Sequence, residues 1–223
     1  MIYVIMCGGQ YDHFGELPRP LHEIHGEPLV ARTIRQLREN GISDDLINIT
    51  ANDPRFEKYG YVLHHENSYR ADGKKNYGYW LDAFYPYFAD FVKVTFLFGD
   101  VKYTDYAIGK IVGFAEEAEE LCDTRNVLFG SSLAKNPQHE NWGEPFAYVV
   151  NDYREFMNGV YDVKDLQDEG KTKRIALVWE LYRYLNGLDI NVQQVLDETY
   201  ITIDDGTIDA DDPERFEEWN RNE

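Results

Sequence analysis

The chain has 223 residues, of which 43% are hydrophobic and 15% aromatic, which is enough for one sizeable core and excludes a disordered chain. Acidic residues outnumber basic ones by 41 to 22, giving a net charge of −19 at pH 7, and this charge disfavours binding to nucleic acids and anionic membrane surfaces. A small anionic ligand would therefore need local cations, either a few arginine or lysine side chains or a divalent metal.

Strand-like and helix-like segments alternate along the chain. Helices are expected over 28–41, 80–88 and 106–121, with a further helical pattern over 175–185. Short apolar segments rich in β-branched and aromatic residues are candidate strands: 2–7, 46–50, 61–64, 92–98, 126–129 and 146–150. This alternation predicts a single α/β domain with a mixed, mostly parallel central sheet and helices on both faces.

Two later segments are less regular. The polar segment 151–174 is expected to leave the sheet, as a helix followed by a mobile turn. The end of the chain is acidic, and Phe216 and Trp219, three residues apart after Pro213, predict an amphipathic helix docked on the core.

The two cysteines, Cys7 and Cys122, lack the spacing of zinc sites and redox pairs, so two buried free thiols are expected. The first residues have no basic segment and only a short apolar run, and no later segment is long enough to cross a bilayer. A cytoplasmic location is therefore expected.

Gly8 and Gly9 follow the first strand directly. Glycines at the carboxyl end of a strand let bare backbone amides approach phosphate, although a glycine pair alone often marks only a tight turn. The same loop continues to Pro18-Arg19-Pro20-Leu21, where the Arg19 guanidinium is suited to bidentate bonds with phosphate.

Gly99 and Asp100 end the apolar segment 92–98. An aspartate emerging from a buried strand is suited to hold Mg²⁺, and the alternative is a turn residue that caps the following helix. Near the end of the chain, Asp209 and Asp211 would lie on the same side of an extended strand and could complete a metal site with Asp100, unless they belong to a solvated acidic tail.

Together these motifs resemble the nucleotidyltransferases that make activated sugars and phosphoalcohols. The resemblance follows the family's order over nearly the whole chain and is strongest over residues 18–41. The matching stretches are Pro18-Arg19-Pro20-Leu21, Gly26-Glu27-Pro28-Leu29, Gly99-Asp100 and Asp209-Ala210-Asp211-Asp212-Pro213-Glu214.

The resemblance implies a fold like that of nucleotide-diphospho-sugar transferases, with a nucleotide-binding part over about 1–125 and an acceptor-binding part over about 126–223. It implies transfer of a nucleoside monophosphate from a nucleoside triphosphate, CTP or UTP, to a phosphorylated sugar or other small phosphorylated acceptor, with release of pyrophosphate. Such products would be activated precursors of surface polysaccharide or of its modification. The implied cofactor is Mg²⁺.

The resemblance also implies site residues. Arg19, Asp100 and Asp211 would be catalytic, with Asp100 and Asp211 as the Mg²⁺ ligands. Acceptor binding falls on Trp142, Gly143 and Glu144, although a plain turn is an alternative there. Nucleotide binding falls on Cys7, Gly8, Gly9, Gln10, Arg19, Lys74, Lys75, Asn76 and Gly99.

Two other functions remain open. Tyr11-Asp12-His13 stands where the family has Gly-Thr-Arg, which favours a catalytically silent module that binds a nucleotide or phosphorylated metabolite. A glycosyltransferase of the related GT-A architecture is the other alternative, but it would hold its metal with Asp-x-Asp, whereas this strand ends in a single Gly-Asp.

Overall fold

The computed structural model describes the chain over residues 1–8, 14–64, 80–84, 93–132, 143–210 and 213–222. The α-helices are α1 (Leu29–Glu39), α2 (Asp105–Glu120), α3 (Tyr153–Asp168), α4 (Val178–Leu185) and α5 (Pro213–Asn222). Short 3₁₀ helices span Arg19–Leu21, Asp44–Leu46, Pro54–Tyr59 and Trp80–Phe84. The strands are β1 (Ile2–Met6), β2 (Glu23–Ile24), β3 (Glu27–Pro28), β4 (Ile47–Ala51), β5 (Tyr61–His64), β6 (Val94–Phe98), β7 (Val101–Lys102), β8 (Val127–Gly130), β9 (Pro145–Val150), β10 (Tyr200–Thr202) and β11 (Ile208–Asp209).

Within these residues, seven strands form the central sheet in the order β10-β8-β9-β6-β1-β4-β5. The strands β6, β1, β4 and β5 pair in parallel, and so do β8 and β10. Only β9 runs against its neighbours, pairing antiparallel with both β6 and β8. The predicted mixed, mostly parallel sheet of an α/β domain is therefore confirmed.

Helices cover both faces of this sheet, as the ring contacts show. Phe96 of β6 pairs with Tyr148 of β9, so their side chains share a face, and Phe156 of α3 contacts both rings at 6.1 and 5.0 Å between centroids. Phe129 of β8 pairs with the residue before Tyr148 and so lies on the opposite face, where Phe114 of α2 contacts it at 5.5 Å. The helices α3 and α2 therefore lie on opposite faces.

The six predicted strands agree with observed ones to within about two residues. The helix predicted over 28–41 is α1, which begins after Pro28, and the chain then turns at Gly41 with φ of +86°. Of the helix predicted over 80–88, Trp80–Phe84 is a 3₁₀ helix, and residues 85–88 lie outside the described part. Phe84 is fully buried and contacts Trp80, as expected for core residues.

The segment 151–174 begins with a helix that is followed by a turn, as expected, because α3 ends at Asp168 and Gly170 follows with φ of +71°. The expectation that the segment leaves the sheet is wrong. Most of it forms α3, whose buried side chains recur at helical spacing and pack on the sheet and on α4. Acidic and basic residues on the outer face obscure this spacing in the sequence. The buried apolar residues are Tyr153, Phe156, Met157, Val160 and Val163.

One cysteine prediction is also wrong. Cys7 is buried, but Cys122 is exposed, in a turn just after α2 where its φ is +54°. Among the helices in the described residues, none has the length and apolarity needed to cross a membrane.

Candidate active site

The carboxyl ends of β1 and β6 lie side by side, because the two strands are parallel neighbours and Met6 pairs with Phe98. The chain continues from β1 into Cys7 and Gly8, and from β6 into Gly99 and Asp100. Two of the three sequence motifs therefore meet at the edge of the sheet where ligands of α/β proteins gather.

Gly99 lets the two strand ends approach closely. Its amide donates to the Met6 carbonyl oxygen at 2.9 Å, and a Cβ added at this position would lie 2.5 Å from that oxygen and 2.8 Å from Cys7 Sγ. Any larger residue would force the strands apart. Cys7 is only 2% exposed, so any contact it makes with a ligand would come from its backbone.

The side chain of Arg19 joins two carboxylates at this edge. Its Nη1 donates to Asp100 Oδ2 at 2.9 Å and to Asp209 Oδ1 at 3.4 Å. The three side chains are between 16% and 26% exposed, so the cluster is partly shielded from water and still open to a ligand. The Arg19 guanidinium also lies over the ring of Phe14, with 5.0 Å from Cζ to the ring centroid.

A small antiparallel pairing brings Asp209 to the site. Directly after Asp100, β7 pairs with β11, with Asp209 opposite Val101, and the Ala210 amide donates to the Asp100 carbonyl oxygen at 2.9 Å. Among the residues that the structure describes, this pairing brings the carboxylate of Asp209 to Arg19, beside Asp100. Asp211, chosen from the sequence as the second metal ligand, lies outside the described residues and stays a prediction.

Glu144 lies beside this pairing. Its Oε2 accepts a hydrogen bond from the Asp209 amide at 3.3 Å, and its own amide donates to Ser131 Oγ at 2.7 Å. Glu144 and the adjacent Gly143 were predicted to bind the acceptor. The structure brings Glu144 next to Asp209, at the side of the cluster nearest to β8 and β9.

Tyr103 anchors the segment that carries Asp100. Its buried hydroxyl lies within hydrogen-bonding distance of the carbonyl oxygens of Phe98 and Phe146, which links the ends of β6 and β9. Burial, and then the negative charge of Asp100, raises the pKa of Tyr103 well above its usual value. The same two causes raise the pKa of the Cys7 thiol. Both groups therefore stay neutral and act as packing and anchoring groups.

The two aspartates fit a hard divalent cation. One oxygen from each carboxylate lies within 3.4 Å of a single cationic nitrogen of Arg19, so both carboxylates already face one positive centre. No cluster of three or more metal-ligating side chains occurs among the described residues. Mg²⁺ commonly takes one or two carboxylates and completes its shell with water and phosphate oxygens, so an aspartate pair suits it better than zinc.

Seven of the predicted site residues lie outside the described part of the chain. They are Gly9, Gln10, Lys74, Lys75, Asn76, Trp142 and Asp211. They stay predictions. Of the described ones, Gly8, Gly99, Asp100 and Arg19 lie at one edge of the sheet, and Gly143 and Glu144 border it.

Sequence reasoning missed the contact of Phe14 with Arg19 and the contact of Asp209 with Arg19. The second contact had a signal in the sequence. Ile208 and Asp209 form a short extended segment before a proline-initiated helix, and such a segment can pair with the strand that follows Asp100.

No protein-family model and no curated protein matches this sequence. Solved structures do match it over nearly its whole length. One, assigned as a glucose-1-phosphate thymidylyltransferase from Bacillus anthracis in complex with sucrose, has a TM-score of 0.63 at 13% identity, covering 99% of this chain and 94% of that one.

Two further structures give the same result. UDP-glucose pyrophosphorylase from Acinetobacter baumanii has a TM-score of 0.58 at 10% identity, covering 99% of this chain and 92% of that one. HddC from Yersinia pseudotuberculosis has a TM-score of 0.51 at 14% identity, covering 98% and 97%. At these identities the similarity is one of fold, and at that level it confirms the predicted resemblance: the chain has the α/β fold of sugar-phosphate nucleotidyltransferases.

Proposed function

We propose that this protein is a nucleotidyltransferase that moves a nucleoside monophosphate from a nucleoside triphosphate to a small phosphorylated acceptor. An oxygen of the acceptor's phosphate attacks the α-phosphorus and forms a new P–O bond. The bond from the α-phosphorus to the oxygen that bridges to the β-phosphate breaks, and pyrophosphate leaves with the electron pair. Catalysis of this kind consists mainly of positioning and charge neutralisation.

The observation that carries the proposal is the cluster of Arg19, Asp100 and Asp209 at the carboxyl edge of β1 and β6. Two carboxylates and a guanidinium meet within hydrogen-bonding distance, although they come from segments up to 190 residues apart in sequence. A triphosphate bound at this edge would meet one fixed cation from the protein and an acidic pair suited to a second, divalent cation. This combination offsets phosphate charge in a protein of net charge −19.

Each residue has a distinct part in this proposal. Arg19 binds and orients phosphate oxygens through its planar set of donors. Asp100 and Asp209 would hold Mg²⁺, with Asp211 as a further candidate ligand, and the bound ion would supply charge neutralisation at the phosphates. Gly8 and Gly99 add no side chains of their own to this edge, and Glu144 faces the acceptor.

The choice of substrates rests on the resemblance to the nucleotidyltransferase family. We propose CTP or UTP as the nucleotide and a sugar phosphate, or another small phosphorylated compound, as the acceptor. The product would be an activated precursor of surface polysaccharide or of its modification. The similarity of fold to a thymidylyltransferase and a UDP-glucose pyrophosphorylase supports this class of substrates.

A pyrophosphate-release screen tests the reaction. The protein is incubated with MgCl₂, with each of ATP, GTP, CTP, UTP and dTTP, and with sugar phosphates and phosphocholine-like alcohols as acceptors. Release that requires both substrates is expected for at least one pair. Silence across the panel, with nucleotide binding retained, would refute the transferase and favour a binding module, and nucleoside diphosphate release from a nucleotide sugar would favour a glycosyltransferase.

Asp100→Asn tests the site itself. The amide keeps the shape but removes a charge that both Arg19 and a divalent cation would use, so kcat/KM is expected to fall by about 10²-fold or more. Asp44→Asn is the matched control. Asp44 also pairs with an arginine, Arg38, at 2.6 Å, but it precedes β4 at the opposite edge of the sheet. Near-normal turnover by Asp100→Asn would remove Asp100 from the mechanism.

A further inference from the structure

A second apolar cluster lies apart from the main core, next to Arg19. Its buried members come from three regions of the chain, and Trp219 packs against them. We call it the Phe14 cluster. Its buried residues are Phe14, Ile24, Leu29, Ala210 and Phe216.

The contacts in this cluster lead from α5 to the guanidinium of Arg19. Phe216 packs edge-on against Phe14, with 6.0 Å between centroids and 85° between ring planes, and Phe14 in turn lies under Arg19. The His22 ring lies 5.1 Å from Phe14 and 5.2 Å from Phe216. Phe216 is 5% exposed and Phe14 is 7% exposed, so neither ring has room to move without disturbing the other.

Polar contacts fix α5 against the same segment of chain. Asn220 Oδ1 accepts from the His25 amide at 2.6 Å, and Asn220 Nδ2 donates to the Glu23 carbonyl oxygen at 3.1 Å. Lys102 Nζ lies 5.2 Å from the Trp219 ring centroid, which ties α5 to β7 as well. The helix is thus held both to the segment after Arg19 and to the strand after Asp100.

We propose that Phe216 is a positioning residue: by holding Phe14 beneath the guanidinium, it sets where the positive charge of Arg19 meets its anionic partners. This inference rests on the proposed function where it concerns phosphate binding. Ala210, fully buried in the same cluster, directly follows Asp209, so the packing of Phe216 also bears on the carboxylate that Arg19 contacts. A helix at the end of the chain thereby organises charges carried by segments far from it in sequence.

Phe216→Leu is the test variant, because leucine keeps most of the apolar volume and removes the ring. Phe114→Leu is the matched control, since Phe114 also makes an edge-on ring contact, with Phe129, but on the helix α2. Phe14→Leu removes the ring directly beneath Arg19. Unfolding by urea shows that each variant is folded under the assay conditions.

The first measurement does not depend on any substrate. A ring above or below a guanidinium shifts the NMR signal of the arginine Nε–Hε group, and the Arg19 signal is identified by its loss in Arg19→Lys. It is expected to shift in Phe14→Leu and in Phe216→Leu, and to stay in place in Phe114→Leu. An unmoved Arg19 signal in Phe216→Leu would overturn the inference, whatever the protein's activity.

The second measurement uses equilibrium binding of the five nucleoside triphosphates with MgCl₂ and no acceptor. Phe216→Leu is expected to raise the dissociation constant about tenfold, and Phe114→Leu to leave it unchanged. If Phe216 acts through Arg19, the effect of Phe216→Leu disappears in the Arg19→Ala background. Full additivity of Phe216→Leu and Arg19→Ala would overturn the inference. Absence of triphosphate binding by the unaltered protein would instead overturn the proposed function, and the NMR result would then decide whether Phe216 positions Arg19.

Discussion

Arg19→Ala is expected to tighten the binding of a divalent cation to the nucleotide-free protein and to weaken the binding of nucleoside triphosphate. The guanidinium lies between Asp100 and Asp209, the two carboxylates proposed to hold Mg²⁺. A cation that binds this pair must therefore displace Arg19 from them. In the presence of substrate the same arginine is expected to turn to the phosphates.

The size of the effect follows from the two contacts that the cation must break. The 2.9 Å bond to Asp100 is a charge-assisted hydrogen bond, a class that contributes about 1.5 to 3 kcal/mol, and the 3.4 Å contact with Asp209 contributes less. The side chains of Arg19, Asp100 and Asp209 are 16% to 26% exposed, so water screens these ion pairs more than it would screen buried ones and reduces their contribution. A total of about 1.5 to 2.5 kcal/mol corresponds to roughly 10- to 70-fold tighter cation binding.

Titration with Mn²⁺, followed by the EPR signal of the free ion, measures this affinity without any substrate. Arg35→Ala is the matched control, because Arg35 also bridges two carboxylates, those of Glu27 and Glu39, but on the surface of α1. It changes the net charge equally and is expected to leave the site affinity unchanged. The Mn²⁺ affinity of Arg19→Lys should fall between those of Arg19→Ala and Arg35→Ala, because an ammonium group cannot present the same planar set of donors as a guanidinium.

An unchanged or weaker Mn²⁺ affinity in Arg19→Ala would refute this reasoning. It would mean either that the cation does not use Asp100 and Asp209, or that the guanidinium does not compete for them. An equal gain in Arg35→Ala would also refute it, because the effect would then come from net charge alone.

Two further predictions concern the fold. Gly99→Ala should lower the free energy of unfolding in urea by about 1 to 3 kcal/mol or more, because its Cβ would lie 2.5 Å from the Met6 carbonyl oxygen. Gly113→Ala is the control and should be neutral or stabilising, because no atom lies within 4 Å of the added Cβ. Equal urea midpoints for the two variants would contradict the close contact at Gly99. Stability should also fall as pH rises above about 9, because the unfolded chain releases protons that the folded chain keeps, by up to about 1.4 kcal/mol per pH unit for each such group. Urea midpoints at pH 8, 9.5 and 11 measure this slope, Tyr148→Phe should reduce it, and a flat profile would contradict it. Burial is the main cause of the raised pKa in each group concerned, namely Cys7, Tyr3, Tyr103, Tyr148 and Tyr200.

The sequence by itself determined the elements of this fold and most of the residues at the edge of its sheet. Apolar periodicity gave β1, α1 and β6 to within about two residues, because a strand or helix must bury a face of fixed period. The position of Gly99 and Asp100 followed in the same way, since a residue after a buried parallel strand emerges at the carboxyl edge. The helix within 151–174 was expected, but its packing on the sheet was missed, because charged residues on the outer face of α3 obscure its buried apolar residues.

Only the tertiary structure decided which side chains meet. The spacing of Asp209 and Asp211 puts both on the same side of a strand, and it is the pairing of β11 with β7 that brings Asp209 to Arg19. The packing of Phe216 on Phe14 joins residues about 200 positions apart, and no local pattern encodes such a contact. Local periodicity reflects the burial of one face at a time, whereas the choice of partner across that face depends on register and close packing, which exist only in the assembled fold.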